Sequence, residues 1–275
     1  MTIQIEPSLA TALASARRAH QAAATLIGGA GLKRDPVAIT QACLLATIVD
    51  GLAAVIALIT SPGQAHADTV NRSLIEALGD LHHLCADPGF YDQLKLTSAL
   101  RQKAAAQSFI ERRLNDPATI LQQGLAMREA REQSKIIDEL EAKGVKPVGP
   151  SIRIEAPELS EDLVGVYSLH SFAAHHDLTA LSKRHFRGEH LVFGNTLSTA
   201  NAANSLRVAV VTTANALMKA EDFLSVESQR IWETVGALHA EIEALAGVFD
   251  SETAAERKRL EAEVARGKGS AKGVA

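Results

Sequence analysis

Three polar side chains recur at a spacing that would place them on one face of a helix. Arg72, Glu76 and Asp80 are each four residues apart, and His83 follows about one turn later. Residues four apart are neighbours on a helix surface, so a guanidinium and two carboxylates would line up there. We interpret this stripe as a candidate polar site. The alternative is a solvated face with an ordinary ion pair between Arg72 and Glu76.

A second polar stripe follows about ninety residues later in the chain. Tyr167, Ser171 and His175 repeat the i, i+4, i+8 pattern beside apolar positions. A phenol, a hydroxyl and an imidazole would therefore lie on one face of a second helix. These three residues complete the candidate polar site. The alternative is that they are ordinary boundary residues without a function.

Nucleophilic catalysis would need a serine, a histidine and an acid in one arrangement. Ser171 and His175 are one helical turn apart, and Asp50, Glu76 or Asp80 could supply the acid. A serine within a helix has neither the Gly-rich turn nor the oxyanion hole that such enzymes use. The sequence therefore does not favour this chemistry, and it leaves open whether the protein is an enzyme.

The spacing of carboxylates and histidines indicates whether the helices could bind a metal. Asp80 and His83 have the i, i+3 spacing of a di-iron helix, and Glu76 could add an oxygen ligand. Such sites need a second helix with the same motif and single glutamates from two others, and the sequence contains no second copy. We predict no metal and no cofactor, with Asp80 and His83 as the weak candidates.

One short segment is compatible with RNA cleavage. Arg184 and His190 in RHFRGEH are six residues apart, within the spacing of the Arg-x(4–6)-His motif of helical toxin and defence proteins. A glycine between them and the absence of a clear helical pattern weaken the match. An RNA-cutting activity remains an alternative function.

Start and stop signals divide the chain into long helices. Prolines follow Glu6, Asp35 and Asp116, and glycine or proline clusters end several apolar patterns. A loop rich in proline and glycine follows at 144–159, with an extended piece expected at 151–155. The predicted helices cover residues 7–26, 36–60, 67–86, 90–114, 117–143, 160–175, 197–224, 225–249 and 252–266.

These elements predict an all-α protein built as a single multi-helix bundle. The bundle domain spans residues 1–250, with the 144–159 loop inside it and a helical hairpin at its C-terminal end. Residues 251–275 form a charged helix and a disordered tail, because their few apolar side chains cannot support a core.

Composition excludes several classes of function. Aromatic residues make up only 4% of the chain, so we expect a helical core of Ala, Leu, Ile and Val. The net charge is −4, so we do not expect the basic face of a nucleic-acid binder. Cys43 and Cys85 lie in apolar helical patterns and are expected to be reduced core residues. The N-terminus lacks the pattern of a signal peptide. We predict a soluble cytoplasmic protein that does not bind membranes and for which nucleic acid is not the favoured partner.

The apolar segment Ala42 to Ile59 is long enough to cross a bilayer. It carries Asp50 at its middle, where a charge costs about 3 kcal/mol on insertion scales. We therefore predict a buried core helix in which Asp50 finds a hydrogen-bonding partner, since an unpaired buried carboxylate is costly.

Two motifs give the chain a resemblance to a known family. The segment Arg72-Ser73-Leu74-Ile75-Glu76 and the later Tyr167, Ser171 and His175 resemble the Arg-Ser-Leu-x-Glu and Tyr-x3-Ser-x3-His signatures of an uncharacterised bacterial all-helical family. The resemblance extends over about residues 38–177. One departure is His176-Asp177, where the family often has proline after the histidine. The resemblance implies an all-helical fold and no particular reaction.

The resemblance also pairs the two stripes, so we expect them to face each other. Arg72 would hold Glu76 and donate to Tyr167 or Ser171 across the helix contact. His175 would lie near Glu76 or Asp80, and such a carboxylate would favour its protonated form.

The function that this sequence favours is interaction with a protein partner or with a second copy of the chain. An RNA-cutting protein and a bundle that binds a metal or a small ligand are the alternatives.

Overall fold

The computed structural model describes residues 6–113, 117–149, 151–156, 158–174, 186–187, 190–191 and 197–270. Their helices are α1 (Pro7–Gly28), α2 (Pro36–Ile59), α3 (Ala67–Ala86), α4 (Phe90–Arg113), α5 (Ile120–Ala142), α6 (Glu161–Ala174), α7 (Thr199–Leu217) and α8 (Ser228–Ser270). The all-α prediction is confirmed.

Two-residue strands and single turns of 3₁₀ helix connect these helices. The strands are β1 (Gly31–Leu32), β2 (Phe186–Arg187), β3 (His190–Leu191) and β4 (Leu224–Ser225), which pair antiparallel as β1 with β4 and β2 with β3. The 3₁₀ turns are Gln64–His66, Pro117–Thr119, Ile152–Glu155 and Ala220–Asp222. The extended piece expected at residues 151–155 is therefore wrong.

Helix starts follow the signals in the sequence. The Asp35 side chain accepts a hydrogen bond from the backbone N–H of Ala38 at 2.9 Å, with Pro36 in the first turn of α2. Ser198 caps α7 in the same way through Asn201. Gly144 follows the end of α5 with φ +75°, a left-handed conformation that suits glycine.

The described contacts divide the chain into two compact units, which the sequence pattern does not distinguish. The first comprises residues 1–82 and 158–275. Its central helix is α7, which packs against α1, α2 and α8 and buries residues around most of its circumference. The first part of α3 belongs to this unit, where Leu74 packs against Gly51 of α2.

The second unit, residues 83–157, is an antiparallel hairpin of α4 and α5. Its apolar core consists of Leu96, Ala99, Ile137 and Leu140, near the start of α4 and the end of α5. The Thr97 hydroxyl accepts a hydrogen bond from the backbone N–H of Val148 at 2.7 Å. This core fixes one end of the hairpin, and we call residues 101–113 and 117–135 the distal hairpin.

Two expectations for α2 are wrong. Cys43 and Asp50 are both exposed rather than buried, and Cys85 of α3 is only partly buried. The 18-residue window of α2 with mean hydropathy 2.4 is long and apolar enough to span a membrane, but only 39% of it is buried. A helix that is apolar on every side gives no pattern from which its buried face can be read.

The C-terminal helices also differ from the prediction. Helix α7 ends at Leu217 instead of continuing to residue 224, and α8 runs without a break past Ser251 to Ser270. The residues of α8 from 253 to 259 are all exposed. The charged segment thus extends the helix into solvent, as a helix can do when good helix formers continue beyond the core.

Candidate functional site

Helix α3 separates an apolar face from a polar one. Leu74, Ile75, Leu78 and Leu81 are at most 2% exposed, which fixes the rotation of the helix. The polar stripe Asp68, Arg72, Glu76 and Asp80 then lies on one side, at i+4 spacing.

Three of the predicted site residues meet in one closed network. The Arg72 Nε donates to Glu76 Oε1 at 3.1 Å, and Arg72 Nη2 donates to the Tyr167 hydroxyl at 3.4 Å. The Tyr167 hydroxyl in turn donates to Glu76 Oε1 at 3.1 Å. The guanidinium carbon also lies 5.3 Å from the centre of the Tyr167 ring. The expectation that the stripes of α3 and α6 face each other is confirmed for these residues.

This network is largely shielded from solvent. The side chains of Arg72 and Glu76 are 17% and 26% exposed, and Tyr167 is 7% exposed. Each of the three polar groups forms a hydrogen bond with each of the other two, and the charges of Arg72 and Glu76 cancel. Such an arrangement fixes α6 against α3 in a single register and leaves little of the guanidinium for a ligand.

The other predicted site residues do not join this triangle through a described hydrogen bond. Asp80 is 6% exposed, and Ser171 is partly buried in the last turn of α6. His175 lies outside the described residues, as does Arg184 of the RNA-cleavage segment, and only the backbone of His190 is described, in β3.

The weak metal candidates have other surroundings. A ring nitrogen of His83 lies 2.7 Å from the backbone oxygen of Ile152, and the ring stacks on Phe90 with centroids 4.6 Å apart. Within the part of the chain that the structure describes, no group of three or more His, Cys, Asp or Glu residues is placed to hold a metal.

A second polar contact, not predicted from the sequence, lies beside the triangle. Asp68, one turn before Arg72, accepts a hydrogen bond from the Ser205 hydroxyl of α7 at 2.8 Å. His170 Nε2, one turn after Tyr167, lies 3.5 Å from Asp68 Oδ1. Asn71 donates to the backbone oxygen of Ser205 at 3.0 Å. The signal was present, because Asp68 extends the i+4 stripe and His170 lies three residues after Tyr167.

Burial controls the protonation of His170. The residue is 8% exposed, and removal from water lowers the pKa of its imidazole below the ordinary value, although the Asp68 carboxylate acts in the opposite direction. The folded protein therefore holds the neutral form, while the unfolded chain binds a proton below about pH 6.5.

A pH dependence of stability follows from this shift. Because the folded pKa is lowered, the contribution of neutral His170 is complete above about pH 6.5 and is lost as the pH falls below it. We expect the free energy of unfolding to decrease less between pH 7.5 and pH 5 in His170→Gln than in the unmodified protein. Urea titrations at both pH values test this, with the exposed His66→Gln as the control. Equal pH dependence in all three proteins would contradict the assignment.

A cleft of about 480 Å³ lies between α1 and α8, also in the first unit. Arg18 on its wall forms two contacts of 2.6 Å with Glu241, and the other wall carries both Arg230 and Glu233. Its charges are balanced, so the cleft shows no electrostatic preference for a ligand.

In an ordinary surface hairpin the exposed side chains are polar and the buried ones are apolar. In the distal hairpin this arrangement is reversed on α5. Its exposed large apolar side chains are on α5: Ile120 is 68% exposed, Leu121 74%, Leu125 55% and Met127 41%. The partly buried positions of the same helix segment are polar or small, namely Gln123, Ala126, Glu129, Ala130, Gln133 and Ser134.

Polar contacts join the two helices of the distal hairpin. Gln133 Nε2 donates to Gln102 Oε1 at 3.2 Å, and Gln123 Nε2 donates to the backbone oxygen of Arg113. Ala106 is the buried residue of α4 at this level. The exposed side chains of Ile120, Leu121 and Leu125 therefore contribute little to the packing of the hairpin, and they are available to another molecule.

Comparisons with known proteins do not assign this chain to a family. No family model, no curated protein and no solved structure matches the chain. The resemblance carried by the Arg-Ser-Leu-x-Glu and Tyr-x3-Ser-x3-His motifs accordingly stays a prediction, and the function rests on the geometry of the molecule itself.

Proposed function

We propose that this protein acts by binding a protein partner through the distal hairpin. The observation that carries the proposal is the cluster of Ile120, Leu121 and Leu125, each more than half exposed, on a helix whose inner face is polar. Single exposed leucines are common on protein surfaces, but a cluster with polar residues beneath it is typical of a binding surface.

The polar network around Arg72 supports a structural role for that part of the molecule. Its three side chains satisfy one another and are mostly buried. We therefore propose that the stripes hold the first unit together and that the binding activity resides in the second.

Photo-crosslinking in the native host tests the proposal. Benzoylphenylalanine replaces Leu121 in the full chain, and we expect a discrete adduct with one protein. The matched control places the same amino acid at Leu169 of α6, which is 68% exposed, and is expected to give no such adduct. Adducts of the same pattern from both positions would contradict a specific surface.

Purified partner allows a quantitative prediction. Leu121→Gln is expected to weaken binding of that partner at least tenfold, because burying a leucine contributes about 1.5–3 kcal/mol and 1.4 kcal/mol is a factor of ten. Leu169→Gln is expected to leave the affinity unchanged. Isothermal titration calorimetry measures both, and equal affinities of the two variants would show that the surface lies elsewhere.

We also propose a cytosolic location. Asp50 lies on the exposed side of α2, so a membrane-spanning α2 would place this carboxylate in lipid at a cost of about 3 kcal/mol. We expect the untagged protein in the soluble fraction after cell lysis and ultracentrifugation. Recovery only from membranes with detergent would contradict this proposal.

A further inference from the structure

The exposed face of α5 changes character along its length. Leu121, Gly124, Arg128, Arg131 and Lys135 are spaced alternately three and four residues apart and are all exposed. Residues with this spacing form one continuous stripe along a helix. Its first part is apolar and its second part is basic.

Gly124 leaves the backbone bare in the apolar part of this stripe. A Cβ built at this position meets no atom within 4 Å. Leu121 lies one turn before Gly124 and Leu125 directly follows it, and all three residues are exposed. A second helix can approach closely at such a position.

The basic part of the stripe carries charge that the described structure does not neutralise. Arg128, Arg131 and Lys135 form no ion pair among the described salt bridges. Residues 101–135 contain seven Arg and Lys and four Asp and Glu, a net charge of +3, whereas the whole chain carries −4. The remaining residues together carry −7, so this segment is net positive within a chain that is net negative.

From this charge pattern we infer that the partner presents an amphipathic helix with an apolar segment followed by an acidic one. Its apolar side chains cover Leu121 and Leu125, and its carboxylates lie beside Arg128, Arg131 and Lys135. Such a helix–helix contact uses both parts of the stripe. A second copy of the hairpin would bring two surfaces of the same sign together, which opposes self-association.

This inference rests on the proposed function and specifies its partner. Two synthetic 18-residue peptides serve as probes. The first has leucines at i, i+3, i+4 and i+7 in its first half and glutamates on the same face of its second half. The second peptide is identical except that lysines replace the glutamates.

Fluorescence anisotropy with the full-length protein measures binding of both peptides. We expect the acidic peptide to bind at least tenfold more tightly than the basic one, and its affinity to fall as salt rises from about 0.1 to 0.5 M, since screening weakens exposed charge pairs. Arg128→Ala/Arg131→Ala should weaken the acidic peptide about tenfold. Arg17→Ala/Arg257→Ala, which removes the same charge from exposed positions of α1 and α8, should not.

Several results would overturn the inference. Equal binding of the two peptides, or equal effects of the two arginine pairs, would show that the charge of the stripe does not select the partner. A concentration-dependent dimer that Leu121→Gln abolishes would show that the surface binds a second copy of the chain. Tighter binding of a 20-nucleotide RNA or of anionic lipid vesicles than of the acidic peptide would identify a different class of ligand. A Leu121 adduct in the native host together with equal peptide binding would leave the proposed function in place and reject only the acidic helix.

Discussion

Gly51→Ala is expected to destabilise the protein by about 2 kcal/mol. A Cβ at this position of α2 would lie 2.1 Å from Leu74 Cδ2 and 3.2 Å from its Cγ. Leu74 is 2% exposed, so its side chain has little room to move. Overpacking of this kind costs about 1–3 kcal/mol, which exceeds the gain of up to about 1 kcal/mol from the better helix propensity of alanine.

A double-mutant cycle shows whether this contact is the cause. Leu74→Ala alone is expected to cost about 3 kcal/mol as a large-to-small core substitution. In the Leu74→Ala background the alanine at position 51 occupies the vacated space, so Gly51→Ala should become neutral or stabilising. Urea denaturation measures all four proteins.

Gly236 of α8 provides the control for helix propensity. A Cβ at Gly236 meets no atom within 4 Å, so Gly236→Ala should stabilise the protein by about 0.5–1 kcal/mol. If Gly51→Ala stabilised the protein to the same extent, α2 and α3 could not pack as described.

Arg72→Ala is the second substitution with a large expected effect, a loss of about 2–3 kcal/mol. It removes the cation that holds Glu76 at 3.1 Å in a mostly buried position. Breaking a buried ion pair costs about 3–5 kcal/mol, and the partial exposure of Glu76 reduces that value. Tyr167→Phe removes the hydroxyl that bonds to both partners, for which we expect about 1 kcal/mol.

The exposed pair of Lys143 and Glu139 provides the comparison. Their side chains are 54% and 60% exposed, so Lys143→Ala should destabilise the protein much less than Arg72→Ala. Thermal and urea unfolding measure these variants together. An Arg72→Ala protein as stable as Lys143→Ala would contradict a structural role and return the Arg72 stripe to the candidates for a binding site.

Much of this architecture is predictable from local sequence signals. Asp35 with Pro36 marks the start of α2, and the i+4 spacing of Arg72 and Glu76 predicts their ion pair. The contact with Tyr167 follows because its polar stripe needed a polar surface to pack against. His170 and Asp68 were missed because a lone histidine or aspartate has many roles in a helix, and only their separation of 3.5 Å assigns one.

The two helices of the distal hairpin were predicted from the sequence, but the exposed apolar face of α5 was not. Ile120, Leu121 and Leu125 have the composition of a buried helix face, and a sequence pattern does not reveal which side faces the neighbouring helix. The exposed Asp50 and Cys43 of α2 illustrate the converse error, because an apolar helix need not be buried on all sides.

Hydrogen–deuterium exchange of the full-length protein is the most direct test of the distal hairpin as the binding surface. The partner is the protein identified by crosslinking at Leu121. We expect slower exchange in residues 120–135 on addition of the purified partner, with little change in α1, α2 and α7. Protection confined to those three helices, with exchange in residues 120–135 unchanged, would contradict it.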